Sequence, residues 1–315
     1  MTAAPYSLDG KRVFVAGHRG MVGCAVMRRL DREPCEVLTV PRERVDLRRH
    51  ADVDAWFARE RPDTVILAAA TVGGIAANQR QPATFLLDNL AIATTVIEAA
   101  WAHGVERLLF LGSSCMYPRT AAQPLTEDAL MTGAPEPTND GYAVAKLAGW
   151  KLAETCRREH GRDFFTAIPT NLYGPGDSYH DGDSHVIPAL IQRMHRAKAE
   201  GANAVTVWGS GEPRREVLHV DDCADALVTI LKHADGEHPI NVGSGSDISI
   251  AELARTIATV VGFTGELRFD TTMPDGMPRK CLDVSRLSAL GWRPAIGLEA
   301  GLADAYRAFL DGRAR

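Results

Sequence analysis

Three glycines spaced three apart, Gly17, Gly20 and Gly23, follow directly on the apolar run Lys11–Ala16 and open an amphipathic stretch, Gly20–Leu30. This junction constrains the chain more than any other. A strand that turns sharply into a helix needs residues without a Cβ at the turn, and it points the helix N-terminus, with its unpaired N–H groups, at whatever binds there. Glycine also lets the backbone close on a pyrophosphate. The pattern therefore predicts a dinucleotide held on Gly17, Gly20 and Gly23 and on the adjoining Met21 and Val22.

The rhythm that follows supports this reading. Glu36–Val40, Thr64–Ala69, Arg107–Leu111 and Phe164–Pro169 read as strands, and Asp52–Arg61, Ala83–His103 and Tyr142–His160 as helices. Continuous apolar strands alternating with helices predict an α/β fold, a doubly wound parallel sheet of Rossmann type covered on both faces. After about residue 175 the rhythm changes. A polar loop, Gly174–His185, leads to a helix from Val186 to about Glu200 and a strand at Val205–Trp208. A Gly/Pro loop, Gly209–Pro213, and the run Glu216–Val220 follow. Ile248–Gly262 reads as a helix, with Ser249 and Glu252 at capping-box spacing. Gly265–Asp270 reads as a strand and Asp283–Leu310 as mostly helical. Residues 1–175 are thus expected to form the cofactor-binding domain. Residues 176–315 should form a smaller, closely packed C-terminal substrate-binding domain, with some segments returning to the Rossmann core.

Composition narrows the class. A net charge of −5 argues against a nucleic-acid surface. No run approaches the ~20 apolar residues of a membrane span, and the N-terminus lacks the apolar core of a signal peptide, so a cytoplasmic protein without a membrane partner is expected. The cysteines at 24, 35, 115, 156, 223 and 281 form no CxxC pair and suit neither zinc nor a disulfide framework. His219-Val220-Asp221-Asp222 reads as the end of a strand and the cap of a helix, because neighbours on a strand alternate faces, and no metal site is expected. The absence of a GxSxG elbow argues against a serine hydrolase.

The second strand runs into Pro41-Arg42-Glu43-Arg44. Arg42, helped by Arg19, suits a 2′-phosphate through its bidentate donor fork, whereas Glu43 could take a ribose hydroxyl. NADP is the expected cofactor. Asp46 could bond near the adenine or cap the next helix. The small Ala68, Ala69 and Ala70 would let a cofactor lie across the sheet edge. Tyr142 and Lys146 are one helical turn apart and share a face. The ammonium is expected to lower the phenol pKa, making a proton donor to a carbonyl under reduction, and to hold the nicotinamide ribose. Ser113, in Gly112-Ser113-Ser114 after the fourth strand, would orient that carbonyl.

Eight segments now stand together: VAGHRGMVG (15–23), ILAAATVGGIAAN (66–78), LFLGSSCMYP (109–118), EPTNDGYAVAKLAG (136–149), PTNLYGPGD (169–177), SHVIPALIQRMH (184–195), VWGSGEPRREVLHVDD (207–222) and PDGMPRKCLDVSRL (274–287). With them the chain resembles the GDP-L-fucose synthases, the GDP-4-keto-6-deoxy-D-mannose 3,5-epimerase/4-reductases of the extended short-chain dehydrogenase/reductases. The resemblance runs from about residue 11 to 310. GSSCxYP and SHVIPAL are the narrower signatures, separating this family from sugar 4-epimerases. The resemblance implies a GDP-linked 4-keto-6-deoxy sugar, inverted at C3 and C5 and reduced at C4. It implies Cys115 as base and His185 as acid, residue types whose protonation can be tuned for the task. By the same resemblance Leu111, Gly112, Ser113 and Ser114, with Pro169, Asn171 and Leu172, line the cofactor. Arg193, Trp208, Arg215 and Lys280 bind the GDP portion, and Asp275 touches sugar or ribose. A homodimer built on the two long helices is implied as well.

Departures from the family pattern point the other way. Thr71 and Ala76 stand where the family has lysine and histidine, Asp140-Gly141-Tyr142 replaces EPY, and Cys24 replaces serine. A heptose or colitose precursor is therefore an alternative substrate. A GDP-sugar epimerase that recycles bound NAD is an alternative activity.

Overall fold

A computed structural model describes residues 5–179, 184–273 and 275–312. β1 (Arg12–Ala16) enters the glycine turn and α1 (Met21–Leu30). β2 (Glu36–Leu38), α2 (His50–Glu60), β3 (Thr64–Leu67), α3 (Ile75–Arg80), α4 (Pro82–Ala102) and β4 (Arg107–Leu111) follow. A 3₁₀ turn, Ser114–Met116, leaves β4, and α5 (Asp140–His160), β5 (Asp163–Pro169) and β6 (Asn171–Tyr173) come next. The remainder comprises α6 (Val186–Ala199), β7 (Ala204–Trp208), β8 (Arg214–Arg215), β9 (Val217–His219), α7 (Val220–His233) and β10 (Ile240–Val242). It closes with β11 (Ile248–Ser249), α8 (Ile250–Val261), β12 (Glu266–Asp270), β13 (Arg279–Lys280), α9 (Ser285–Ala289) and α10 (Leu298–Leu310).

Six strands form one all-parallel sheet in the order β10-β5-β4-β3-β1-β2. Every residue of β3 and β4 is buried, as two covered faces require. The strand period of two sorts β1 cleanly. Val13 and Val15 pack with α1 and α7 on one face, while Phe14 and Ala16 pack with α2, α4 and α5 on the other. The strand order reverses at β1, which opens a crevice between the carboxyl ends of β1 and β3, the place where such sheets bind ligands. A third core joins α6, α8 and α10 to the parallel pair β7–β12.

Two expectations change. The sixth strand, β10, went unrecognised because Ile-Asn-Val is short and lies between Pro239 and Gly243; with α7 it brings residues 220–242 back to the main sheet. The predicted helix over 248–262 starts later. Ile248–Ser249 pairs antiparallel with β8, while Ser249 still caps α8 through the box with Glu252, and the helix ends on left-handed Gly262. The tail is mostly helical, as expected, in two pieces, α9 and α10, on either side of a segment carrying Gly291, Pro294 and Gly297. Within the Gly174–His185 loop, residues 180–183 lie outside the described residues.

No run was expected to approach a bilayer span, yet α4 is long and apolar enough by length and composition, despite Asp88 and Glu98. Its buried residues, among them Ile92, Val96 and Ile97, pack in the core with α2 and β3.

Candidate active site

The cofactor crevice is shaped by backbone. Gly17 adopts φ +89°, and a Cβ there would lie 2.6 Å from the Ala69 nitrogen at the end of β3. At Gly23 a Cβ would lie 2.1 Å from the Gly17 carbonyl oxygen. Both glycines are thus obligatory for the close approach of α1 to the sheet. No side chain caps α1 at Gly20, which leaves the first-turn amides of Met21, Val22 and Gly23 to a ligand. Cys24 donates its thiol to the His18 carbonyl (3.2 Å).

At the end of β2, Arg19 forms an ion pair with Glu43 (3.1 Å), and the exposed Arg42 adds its field to the same carboxylate. Two guanidinium groups therefore gather around one acid at the edge of the crevice. Asp46 does not cap α2, whose N-cap, Arg49, makes no side-chain cap bond. Arg48 grips it instead (2.6 Å) and, with its backbone N–H, holds the carboxyl down at about 2. Arg48 also binds Asp88 (2.9 Å), which accepts from the Thr71 hydroxyl (3.1 Å). Thr71 is further locked to Asn89 by two hydrogen bonds, so it belongs to the scaffold of the β3–α3 loop; Ala76 is exposed on α3.

The chain leaving β4 carries the next group. The Ser113 hydroxyl accepts from the Cys115 N–H (3.2 Å), and the Ser113 N–H donates to the Met116 sulfur (3.3 Å), fixing the turn that presents Cys115. From the start of α5, Asn139 donates its amide to the Cys115 sulfur (3.1 Å). From β13, Lys280 reaches the same sulfur (3.5 Å). Burial pushes the thiol up. The Lys280 charge, with hydrogen bonds from Ser113, Lys280 and Asn139, outweighs burial and leaves it below the ordinary cysteine value. His185 stands at the N-cap position of α6, and its side chain makes no cap bond. Loss of bulk water in the cleft, and then the Lys280 charge, lower its proton affinity.

Tyr142 and Lys146 share a face of α5, but their electrostatics differ from expectation. The Lys146 ammonium donates to the Leu111 carbonyl (2.7 Å) and lies 5.8 Å from the centroid of the Tyr142 ring. Burial depresses Lys146 itself to about 7. The phenol is raised, not lowered, by burial and then by the Cys115 charge, against a hydrogen bond with Ser113. A phenol that keeps its proton remains a competent donor to a developing alkoxide. Gly141 stands where the family pattern has proline. It lies inside α5, and a Cβ there would sit 3.0 Å from the Pro82 carbonyl oxygen, so the glycine lets α5 abut α4.

Asn139, Asn78, Gln79 and Tyr142 line a cavity of 280 Å³. Asn78 and Asn139 each carry a buried amide oxygen with no hydrogen-bond partner among the described residues. Buried acceptors normally find donors, and sugar hydroxyls are donors of the right kind. Neither asparagine was singled out from sequence, although Asn139 stands three positions before Tyr142.

The remaining residues divide. Arg193 stacks on Trp208 (4.6 Å), leaving the indole 54% exposed for a further ring. Arg215 is held by the Met277 carbonyl (2.6 Å); burial lowers its pKa, and Asp275 opposes this. Asp275 accepts from the Ser210 N–H (2.6 Å) and hydroxyl (2.8 Å), bracing that loop. Strand alternation explains the pairing. Arg214 and Arg279 share Asp247 (2.5 Å each), while their neighbours Arg215 and Lys280 lie in register on the other face. The Gly112 N–H donates to the Ala167 carbonyl (2.8 Å), and Ser114 and Pro169 are buried. Asn171 donates to the Glu216 carbonyl (2.9 Å), and Leu172 packs into the core, so both also tie β6 in place. His219 ends β9 and caps α7, accepting from the Asp221 N–H (3.2 Å). No cluster of metal ligands occurs among the described residues.

Residues 13–243 match the model of the NAD dependent epimerase/dehydratase family. The chain is 52% identical over 305 residues to the GDP-L-fucose synthase of Sinorhizobium fredii, covering 97% of each. It is 51% identical over 318 residues to that of Escherichia coli, covering 98% of this chain and 99% of the other. A crystal structure of a GDP-L-fucose synthetase from Naegleria fowleri bound to NADP superimposes with a TM-score of 0.90 at 27% identity, covering 99% and 98%.

Proposed function

Because this chain belongs to the NAD dependent epimerase/dehydratase family and, within it, to the GDP-L-fucose synthases, we propose how its own residues divide the labour. The reaction is NADPH-dependent 3,5-epimerisation and 4-reduction of GDP-4-keto-6-deoxy-D-mannose to GDP-L-fucose. NADP(H) supplies the hydride when bound. The glycine turn and bare α1 N-terminus suit its pyrophosphate, Arg19 and Arg42 its 2′-phosphate, and Lys146 with the Leu111–Ser114 and Pro169–Leu172 segments its nicotinamide end.

The 4-ketone acidifies the C–H bonds at C3 and C5. In this reading Cys115 removes a proton from one face and His185 returns one to the other. Tyr142, with Ser113 beside it, then gives its proton to the C4 oxygen. Trp208 and Arg193 would stack the guanine, while Arg215 meets the diphosphate from a loop that Asp275 braces. Residues 176–315 supply most of this substrate side, and α7 and β10 serve the cofactor sheet. The observation that carries the reading is the meeting of Cys115, Asn139, Ser113 and Tyr142 in one cleft. A simple reductase would have no use for a thiol surrounded by donors.

The test is a set of GDP-linked 4-keto sugars incubated with NADPH, with products resolved by NMR. GDP-4-keto-6-deoxy-D-mannose should consume NADPH and yield GDP-L-fucose. Cys115→Ser should abolish deuterium exchange at C3 and C5. Turnover confined to a heptose or colitose precursor would replace the sugar assignment. Inversion without NADPH loss would replace the activity by that of an epimerase that recycles bound cofactor. We further propose a cytoplasmic homodimer without membrane contact. The exposed Leu87 of α4 and Val144 of α5 support a dimer face on these helices, which sedimentation at graded concentrations would check.

A further inference from the structure

We propose that Lys280 is a positioning residue for Cys115, holding its sulfur in the proton-accepting form, with Asn139 as a second clamp, and is not a ligand of the diphosphate. The inference rests on the epimerisation reading above. Besides the neighbouring Ser113 hydroxyl, two donors reach the sulfur from distant parts of the chain: Lys280 Nζ at 3.5 Å and Asn139 Nδ2 at 3.1 Å. An ammonium offers no acceptor, and the asparagine presents its donor end, so both favour the thiolate over the thiol, while the Ser113 hydroxyl can pair with either form.

The backbone fixes Lys280 in place. The Glu216 N–H donates to the Lys280 carbonyl (3.0 Å), the Arg214 N–H donates to the Pro278 carbonyl (2.8 Å), and the Leu282 N–H is held by the Glu216 carboxylate (2.8 Å). Arg215, in register beside Lys280, is directed to the Met277 carbonyl. The strand pair thus divides its cations, with the lysine reaching the thiol. The charged and titratable groups around the sulfur are Lys280 and Tyr142, with His185 sensing the same ammonium.

The steps balance. Cys115 S⁻ takes the proton from carbon, forming S–H, and the C–H electron pair moves into the enolate of the 4-ketone. Protonated His185 gives its proton to the opposite face, the enolate electrons re-form a C–H bond, and thiol and imidazole reset by exchange with solvent. A single cation serves both partners, since it favours the thiolate and sharpens the acidity of the imidazolium.

The experiment uses full-length, NADP-loaded enzyme as wild type, Lys280→Met, Lys280→Gln and Lys280→Arg. Iodoacetamide labelling of Cys115 is followed against pH by mass spectrometry, alongside C3/C5 deuterium exchange and the Kd for GDP. Lys280→Met should raise the labelling midpoint by about one pH unit or more, equivalent to about tenfold less thiolate at neutral pH. Exchange should slow in parallel and recover on raising the pH. The Kd for GDP should stay within about twofold, and Lys280→Arg should restore the midpoint. Lys280→Gln, of similar length but uncharged, should show the same rise, which covers a methionine variant that fails to fold. An unchanged midpoint with GDP binding weakened tenfold would overturn the proposal and make Lys280 a phosphate ligand. If Cys115→Ser itself retains exchange, the epimerisation reading has failed, while the labelling midpoint still reports on Lys280.

Discussion

The cofactor crevice and the acid–base cleft adjoin at the end of β4, yet they are built in different ways. The crevice is made of backbone. Gly17 and Gly23 remove Cβ atoms that would collide with the Ala69 nitrogen and the Gly17 carbonyl, and a bare helix end supplies the donors. The cleft is made of side chains from Ser113–Cys115, Asn139–Tyr142, His185 and Lys280, which come together only after folding. A site shaped by backbone is encoded locally. A site shaped by side chains depends on the packing of distant segments.

Tyr142 stands where the two regions meet, so its loss should separate them most sharply. Tyr142→Phe should cut NADPH oxidation by about 10²–10⁴-fold, the usual worth of a positioned proton donor, while C3/C5 exchange persists by NMR. Loss of both would mean that the cleft cannot work apart from the reductive step. The next largest effect belongs to the crevice. Gly23→Ala forces a Cβ to 2.1 Å from a carbonyl oxygen. The expected cost is about 3 kcal/mol of stability with a collapse in NADPH affinity, read by thermal unfolding and fluorescence titration. Unimpaired NADPH binding would break the claim that backbone shape defines this region. The smallest effect lies at the far end of the cleft. Trp208→Ala removes one stacking face, worth ~1–3 kcal/mol for a base, so KM should rise about tenfold with kcat nearly intact. A fall in kcat instead would place Trp208 closer to the chemistry.

This contrast also explains what was legible in the sequence. The glycine triplet, the four-residue spacing of Tyr142 and Lys146, and the apolar strands declare themselves by local pattern. β10 does not, because three residues carry no period and its burial comes from β5 beside it. Motif resemblance pointed to Cys115, His185 and Lys280, the last as a residue of the nucleotide site. Only the β8–β13 register brings that lysine to the thiol. Asn139 stayed silent because an asparagine before a helix reads as a turn residue. The raised phenol of Tyr142 was hidden for a related reason. Spacing predicts that Lys146 faces it, whereas the Leu111 carbonyl, which takes the ammonium, is supplied by another strand.

The short strand pair β8–β13 has one more consequence. Arg215 and Lys280 face the same way across it, and behind them Arg214 and Arg279 are fastened to a single carboxylate, Asp247. Two cations, proposed above to serve the diphosphate and the thiol, are therefore mounted on a common rigid bar. If Arg215 takes the diphosphate as proposed, this bar fixes the span from nucleotide to thiol, so the grip on the distant handle sets the aim of the tool at the sugar.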